Sequence, residues 1–184
     1  MKKLNLFQYR WDLSLLAELY QSSGAKFVTL QSRFDISRGI LKTSLERLIL
    51  AGLVVQNPGY GHPMRPEYIL TPFGTSVGSL CNDLLDEGEK RGVSDIFYDK
   101  WSCPIVFSTG KEKVRFNTLK KSLNPITSRA LSGSLKKLHQ LECIKRSLLD
   151  ANPPMNIYSI GKKSMGLFRI YDERKSEFDK KILI

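Results

Sequence analysis

The sequence predicts a mainly helical chain with small β-hairpins, built as two copies of one domain. Three observations carry that reading. Apolar residues recur at helical spacing over Ile40, Leu41, Ser44, Leu45 and Leu48, and again over Ala130, Leu131, Ser134, Leu135, Leu138 and Leu141. Each of these runs is followed by a short strand-like stretch, GLVVQ or CIKRS, and then a loop rich in Gly, Pro and Asn. Landmarks also repeat in register. Trp11 and Trp101 lie 90 residues apart, and Phe27-x-Thr29-Leu30 matches Phe116-x-Thr118-Leu119 at an offset of 89. After one inserted residue at Pro125, Ile36, Leu41, Ser44, Leu45, Leu48 and Tyr68 match Ile126, Leu131, Ser134, Leu135, Leu138 and Tyr158 at an offset of 90.

The elements follow in the same order in both copies. A first helix is expected over 11–22 and 97–108. A short second helix follows in FVTLQSRF and FNTLKKSL, with Thr29 and Asn117 as expected caps. A tight turn leads to the third helix, 37–51 and 127–142, whose Leu positions face the core. Two strands then form a hairpin that returns at Tyr68 and Tyr158. In RPEYILTPFG the return strand runs straight into a helix start, with Thr71 as N-cap and Pro72 at the first helical position. Helices over 71–90 and 161–181 close the copies. The second junction has Gly161 in place of Thr71 and no proline, so it is expected to be looser. Helix, helix, turn, helix and hairpin is the order of a winged helix-turn-helix, giving tandem domains over 1–92 and 93–184.

Charge separates the copies. The chain of 184 residues carries a net charge of +11. Residues 1–90 hold 10 Lys/Arg and 9 Asp/Glu, whereas residues 91–184 hold 19 and 9. A basic half points to a polyanion partner, double-stranded DNA above all. The third helices supply the expected base and phosphate contacts: Thr127, Ser128, Arg129, Ser132, Lys136 and Lys137 in copy two, and Arg38, Lys42, Thr43 and Arg47 in copy one. Lys120, Lys121 and Arg115 on and before the second helix are expected at phosphates. Arg65, Lys145 and Arg146 are expected at the wings. Glu46 stands where copy two has Lys136, which weakens copy one as a DNA reader.

Other functional classes find little support. Two histidines, no phosphate-binding Gly loop and no nucleophile elbow argue against an enzyme, and no cofactor is expected. His139 and Cys143 are spaced i, i+4, but nothing else completes a metal site. Three scattered cysteines make no disulfide framework. No apolar run is long enough to span a membrane, so a cytoplasmic chain with no membrane partner is expected.

The stretch from Lys100 to Arg146 resembles the HxlR-type bacterial transcription regulators, a winged-helix group akin to the MarR family. Copy two carries the first part of that pattern: Lys100, Trp101, Gly110, Arg115, Phe116, Leu119, Ile126, Thr127, Leu131, Leu135 and Leu138. Copy one carries the last part: Pro66, Glu67, Tyr68, Leu70, Thr71 and Gly74. The resemblance implies a sequence-specific DNA-binding transcriptional regulator. Members usually hold one domain and dimerise, so two copies in one chain imply an intramolecular pseudo-dimer. A homodimer and an unidentified small-molecule effector are left open. Some members sense redox through a Cys just ahead of the first helix, and Cys103 matches that position poorly. The rival reading is a tandem winged-helix protein-interaction module of a chromosome-segregation or other multiprotein assembly.

Overall fold

The structure is a computed structural model, and it describes residues 4–57, 67–150, 154–177 and 182–183. The chain divides into two compact units, Met1–Leu85 with Ser176–Ile184, and Asp86–Lys175.

The first unit opens with β1 (Leu4–Asn5) and α1 (Asp12–Gln21), then β2 (Ala25–Lys26), α2 (Phe27–Phe34) and α3 (Arg38–Leu50). The hairpin strands are β3 (Val54–Asn57) and β4 (Glu67–Leu70), and α4 (Pro72–Lys90) follows them. In the second unit a 3₁₀ turn (Ser94–Tyr98) precedes α5 (Ser102–Ser108), β5 (Val114–Arg115), α6 (Phe116–Ser122) and α7 (Ser128–Gln140). Its hairpin is β6 (Ile144–Leu149) and β7 (Met155–Ile160), and α8 (Met165–Arg174) follows a 3₁₀ turn at Lys162–Ser164. The last strand, β8 (Ile182–Leu183), pairs in parallel with β1. Each hairpin gains a third strand that the sequence reading missed, because two residues are too few to show a period: the sheet orders are β2-β4-β3 and β5-β7-β6, all antiparallel.

The cores are built as the periodicity predicts. Leu41, Ser44, Leu45 and Leu48 of α3 are buried, and so are Leu131, Ser134, Leu135 and Leu138 of α7. Ile40 departs from the expected face: it lies in the first turn of α3 and is 48% exposed. The expected caps at Thr29 and Asn117 also fail. Both second helices start earlier, directly off a two-residue strand, and their N-cap positions Lys26 and Arg115 make no side-chain cap bond. The 97–108 helix is likewise split, into the 3₁₀ turn and the shorter α5.

The two strand-to-helix junctions use different devices for one purpose. At the first, the Thr71 hydroxyl accepts from the Gly74 amide (2.9 Å) and donates to the Gly52 carbonyl (2.8 Å). The Thr71 amide donates to Leu53 (3.0 Å), and a Cβ on Gly74 would lie 1.9 Å from that carbonyl oxygen. At the second, the Gly161 amide donates to Cys143 (2.7 Å) and the buried Ser164 hydroxyl donates to the same carbonyl. A Cβ on Gly161 would lie 2.0 Å from the Glu142 carbonyl oxygen. The expected looseness is therefore not found: the second junction is fastened through Ser164, one turn later.

Candidate nucleic-acid interface

In copy two the third helix presents a polar, cationic face. Thr127 starts α7 in extended conformation, and its hydroxyl accepts from the Ala130 amide (3.2 Å). With Leu131, Leu135 and Leu138 facing the core, Ser128, Arg129, Ser132 and Lys136 are exposed on the opposite side. A Cβ on Gly133 would meet nothing within 4 Å, so the helix surface between them is low and open. Arg115 on β5 and Lys120 and Lys121 at the end of α6 are exposed as well. On the wing, Lys145 and Arg146 are exposed, and Arg146 Nε donates to Asn156 Oδ1 (2.9 Å), which fixes the guanidinium along the strand. Small hydroxyl residues beside long cations allow close groove approach with phosphate and base contacts.

Lys137 does not share this face. It is half-buried and its ammonium lies 3.8 Å from Asp99, on the side of α7 toward the chain before α5. Beyond Arg146 the wing strand continues with Leu148, 69% exposed, and Leu149, so its outer end is apolar.

In copy one the third helix carries cations at other positions, and Arg47, which matches Lys137, is also held by a carboxylate. Arg47 donates from Nε to Asp12 Oδ2 (2.8 Å) and from a terminal nitrogen to Asp12 Oδ1 (2.6 Å), a bidentate pair. Its guanidinium also stacks 3.5 Å over the Tyr9 ring and donates to the Ser44 hydroxyl (3.1 Å). Asp12 is fully buried at the start of α1. Burial pushes the Asp12 carboxyl above its ordinary range, and the Arg47 hydrogen bonds and charge pull it only part of the way back. Arg47 is raised in turn, first through its hydrogen bond to Asp12. Arg47, expected on the DNA face, is thus held within the domain. A fully buried carboxylate requires a cation, and Asp12 ahead of the Leu-rich run of α1 was the signal that could have shown it.

Lys42 is exposed but lies 3.8 Å from Glu46, and Arg33 pairs with Glu18 (2.7 Å). Arg38 and Thr43 are exposed on the outward face of α3. Arg65 lies outside the described residues. In copy two the residue matching Asp12 is Ser102, and among the described residues its buried hydroxyl finds no hydrogen-bond partner.

All three cysteines are buried as free thiols. Burial pushes the Cys103 thiol well up and the Cys143 thiol up to about 11, so both stay protonated. The Cys143 thiol contacts the Leu141 carbonyl, and the His139 ring contacts the Ile144 carbonyl, so both members of that i, i+4 pair face backbone oxygens.

A family model described as HxlR-like helix-turn-helix matches residues 6–94 and again 96–178. The chain belongs to the HxlR-like helix-turn-helix family. It is 38% identical over 72 residues to MalR of Fusobacterium mortiferum, which carries the name of a regulatory protein; the match covers 39% of this chain and 68% of MalR. It is 33% identical over 75 residues to the HTH-type transcriptional regulator YdzF of Bacillus subtilis, covering 40% and 69%. Among solved structures, a MarR-family regulator from Porphyromonas gingivalis is similar at 28% identity and a TM-score of 0.44, covering 51% of this chain and 91% of that one. The family is one of transcription regulators, and nothing in these similarities supports the protein-interaction alternative. Among the described residues no helix is long and apolar enough to cross a membrane.

Proposed function

We propose that this DNA-binding transcriptional regulator reads its operator chiefly with copy two. The observation that carries the reading is which outward cations are left unpaired. Of the third-helix cations only Arg47 and Lys137 occupy matching positions, and both lie against a carboxylate, Asp12 and Asp99. Arg47, Lys42 and Arg33 of copy one lie against Asp12, Glu46 and Glu18. Arg129, Lys136, Lys120 and Lys121 of copy two stand exposed with no carboxylate within an ion-pair distance among the described residues. Each cation that neutralises a phosphate releases counterions, so free cations set affinity and its salt dependence. Arg129 and Lys136, flanked by Ser128 and Ser132, are the residues for the major groove. Lys120, Lys121, Arg115, Lys145 and Arg146 take phosphates.

Copy one takes the second half-site of a pseudo-dimer with fewer contacts, from Arg38, Lys42 and Thr43. Pairing of two chains would double this arrangement. The chain works as a soluble protein and needs no catalytic step.

The test is titration of selected operator DNA at several salt concentrations. Lys136→Ala should weaken binding and reduce the salt slope by about 1. Lys42→Ala should do less. The reading fails if Lys136→Ala binds like the parent while Lys42→Ala loses binding. A footprint protecting one half-site per chain would reject the pseudo-dimer and leave copy two as the reader.

A further inference from the structure

The second unit holds a pocket away from the cations assigned to DNA. It has a volume of about 440 Å³, within the range of small-molecule sites, and lies between the end of α4 and the first two turns of α8. Glu87 and Arg91 form one wall, and Met165, Gly166, Arg169 and Ile170 form the other. Each wall is a single helix face, because side chains three and four residues apart are neighbours. Lys162 lines the pocket from the turn before α8.

Charge singles this pocket out. Arg91 Nε donates to Glu87 Oε1 (2.9 Å), so one cation is already matched. Lys162 and Arg169 are exposed and have no carboxylate within ion-pair distance among the described residues. Three cations and one carboxylate leave two positive charges in excess. Like charges gathered on packed helices repel, which costs the fold. The domain does not require them: at the positions of Lys162 and Arg169, copy one has Pro72 and Ser79. The walls themselves are fixed, since a Cβ on Gly166 would collide with the Glu87 carboxylate.

A phosphomonoester carries close to two negative charges at neutral pH and three strong acceptor oxygens. Arg169 offers it a planar fork and Lys162 a point charge. A phosphate group alone is far smaller than the pocket, and Met165 and Ile170 give an apolar wall for an attached carbon body. We infer that this pocket binds a small phosphomonoester, its phosphate between Lys162 and Arg169 and its body against Met165 and Ile170. The DNA backbone could supply the same phosphate chemistry. The cations assigned to DNA, however, lie on α3, β5, α6, α7 and the wings, whereas these lie at α8. The inference does not rest on the DNA-binding reading.

Calorimetry of the full chain with phenyl phosphate, without DNA, is the test. One molecule should bind per chain, and Lys162→Gln and Arg169→Gln should each lower the affinity about tenfold. Both side chains are exposed, so these variants should keep the parent circular dichroism spectrum. Lys113→Gln removes the same charge from an exposed position outside the pocket and should bind like the parent. Phenol, which lacks the phosphate, should bind far more weakly. No saturable heat with phenyl phosphate, equal binding of phenol, unchanged affinity in Arg169→Gln, or an equal loss in Lys113→Gln overturns the assignment. In a second arm, the salt slope of DNA binding by Arg169→Gln should equal the parent's. A slope lower by about 1 would put a DNA phosphate at Arg169 and overturn the choice of a free ligand. A chain that binds no DNA refutes the regulator reading, while the calorimetry still decides the pocket.

Discussion

Arg47→Met separates a structural cation from a DNA-binding one. The substitution removes two charge-assisted hydrogen bonds, at 2.8 and 2.6 Å, and the stack on Tyr9, and it strands a carboxylate with no exposed surface. Breaking one side of a buried ion pair costs about 3–5 kcal/mol. The Arg47 side chain is 20% exposed, so water reaches its edge and the lower end, about 3 kcal/mol at neutral pH, is expected.

The pH dependence has a definite sign. Burial already raises Asp12 above its unfolded value in the parent. The stability from that preference for the protonated form is complete below the unfolded pKa and is lost as pH rises through the folded pKa. Without Arg47 its opposing hydrogen bonds and charge are gone, the folded pKa rises further, and the window extends upward. The deficit of Arg47→Met should therefore shrink as pH falls from neutrality into the mildly acid range, where the buried carboxyl takes up a proton.

Urea unfolding in a Trp101→Phe background, with Trp11 as reporter, measures this for the first unit; Trp11 packs edge-on to Phe34 with ring centroids 6.0 Å apart. The salt slope of DNA binding is the second readout and should equal the parent's, whereas a phosphate contact at Arg47 would lower it by about 1. A loss below about 1 kcal/mol, a deficit that does not shrink with acid, or a reduced slope would refute the reasoning.

Three further substitutions test local devices, each by chemical denaturation. Glu142 follows α7 with φ of 59°, where copy one has Gly52 at 72°; Glu142→Gly should stabilise the second unit by about 1 kcal/mol. Gly74→Ala would place its Cβ 1.9 Å from the Leu53 carbonyl oxygen and should cost about 3 kcal/mol, the first unit's transition moving and the second's staying. Ser102→Ala removes a buried hydroxyl without a partner and should gain about 1 kcal/mol; a loss would mean that the hydroxyl is satisfied in solution.

What the sequence showed followed from period and punctuation. The Leu faces of α3 and α7 were legible because burial repeats at helical spacing over thirteen residues. Thr71-Pro72 was legible because a cap followed by proline has few other uses. Ile40 was misplaced because its i, i+4 spacing to Ser44 suggests the core face, yet at about 100° per residue it lies on the flank of the face set by Leu41, Leu45 and Leu48. Arg47 sits on the rim of the helix face, where a long side chain can turn either way; its direction is set by a partner 35 residues distant, which no local pattern reports. The pairing of β1 with β8 joins residues near opposite ends of the chain and left no periodic trace. The wing position of Arg65 falls outside the described residues.

The two copies show which parts of a duplicated domain can drift. Backbone bonds hold: the Thr71 amide reaches the Leu53 carbonyl, and at the same offset the Gly161 amide reaches that of Cys143. The residues enforcing them have changed, since copy one needs glycine at Gly74 and copy two at Gly161, and the fastening hydroxyl moves from Thr71 to Ser164. A main-chain bond left unmade inside a domain costs about 1–3 kcal/mol, so such bonds are retained through whichever side chain serves. An outward cation is worth little to the fold, and so it is free to change. Copy one turned Arg47 inward onto a buried acid that copy two lacks, and Glu46 faces Lys42 where copy two has Lys136 facing solvent. The fold is thus the shared inheritance of both halves, while the outward cations, on which the proposed DNA contacts rest, are concentrated in one.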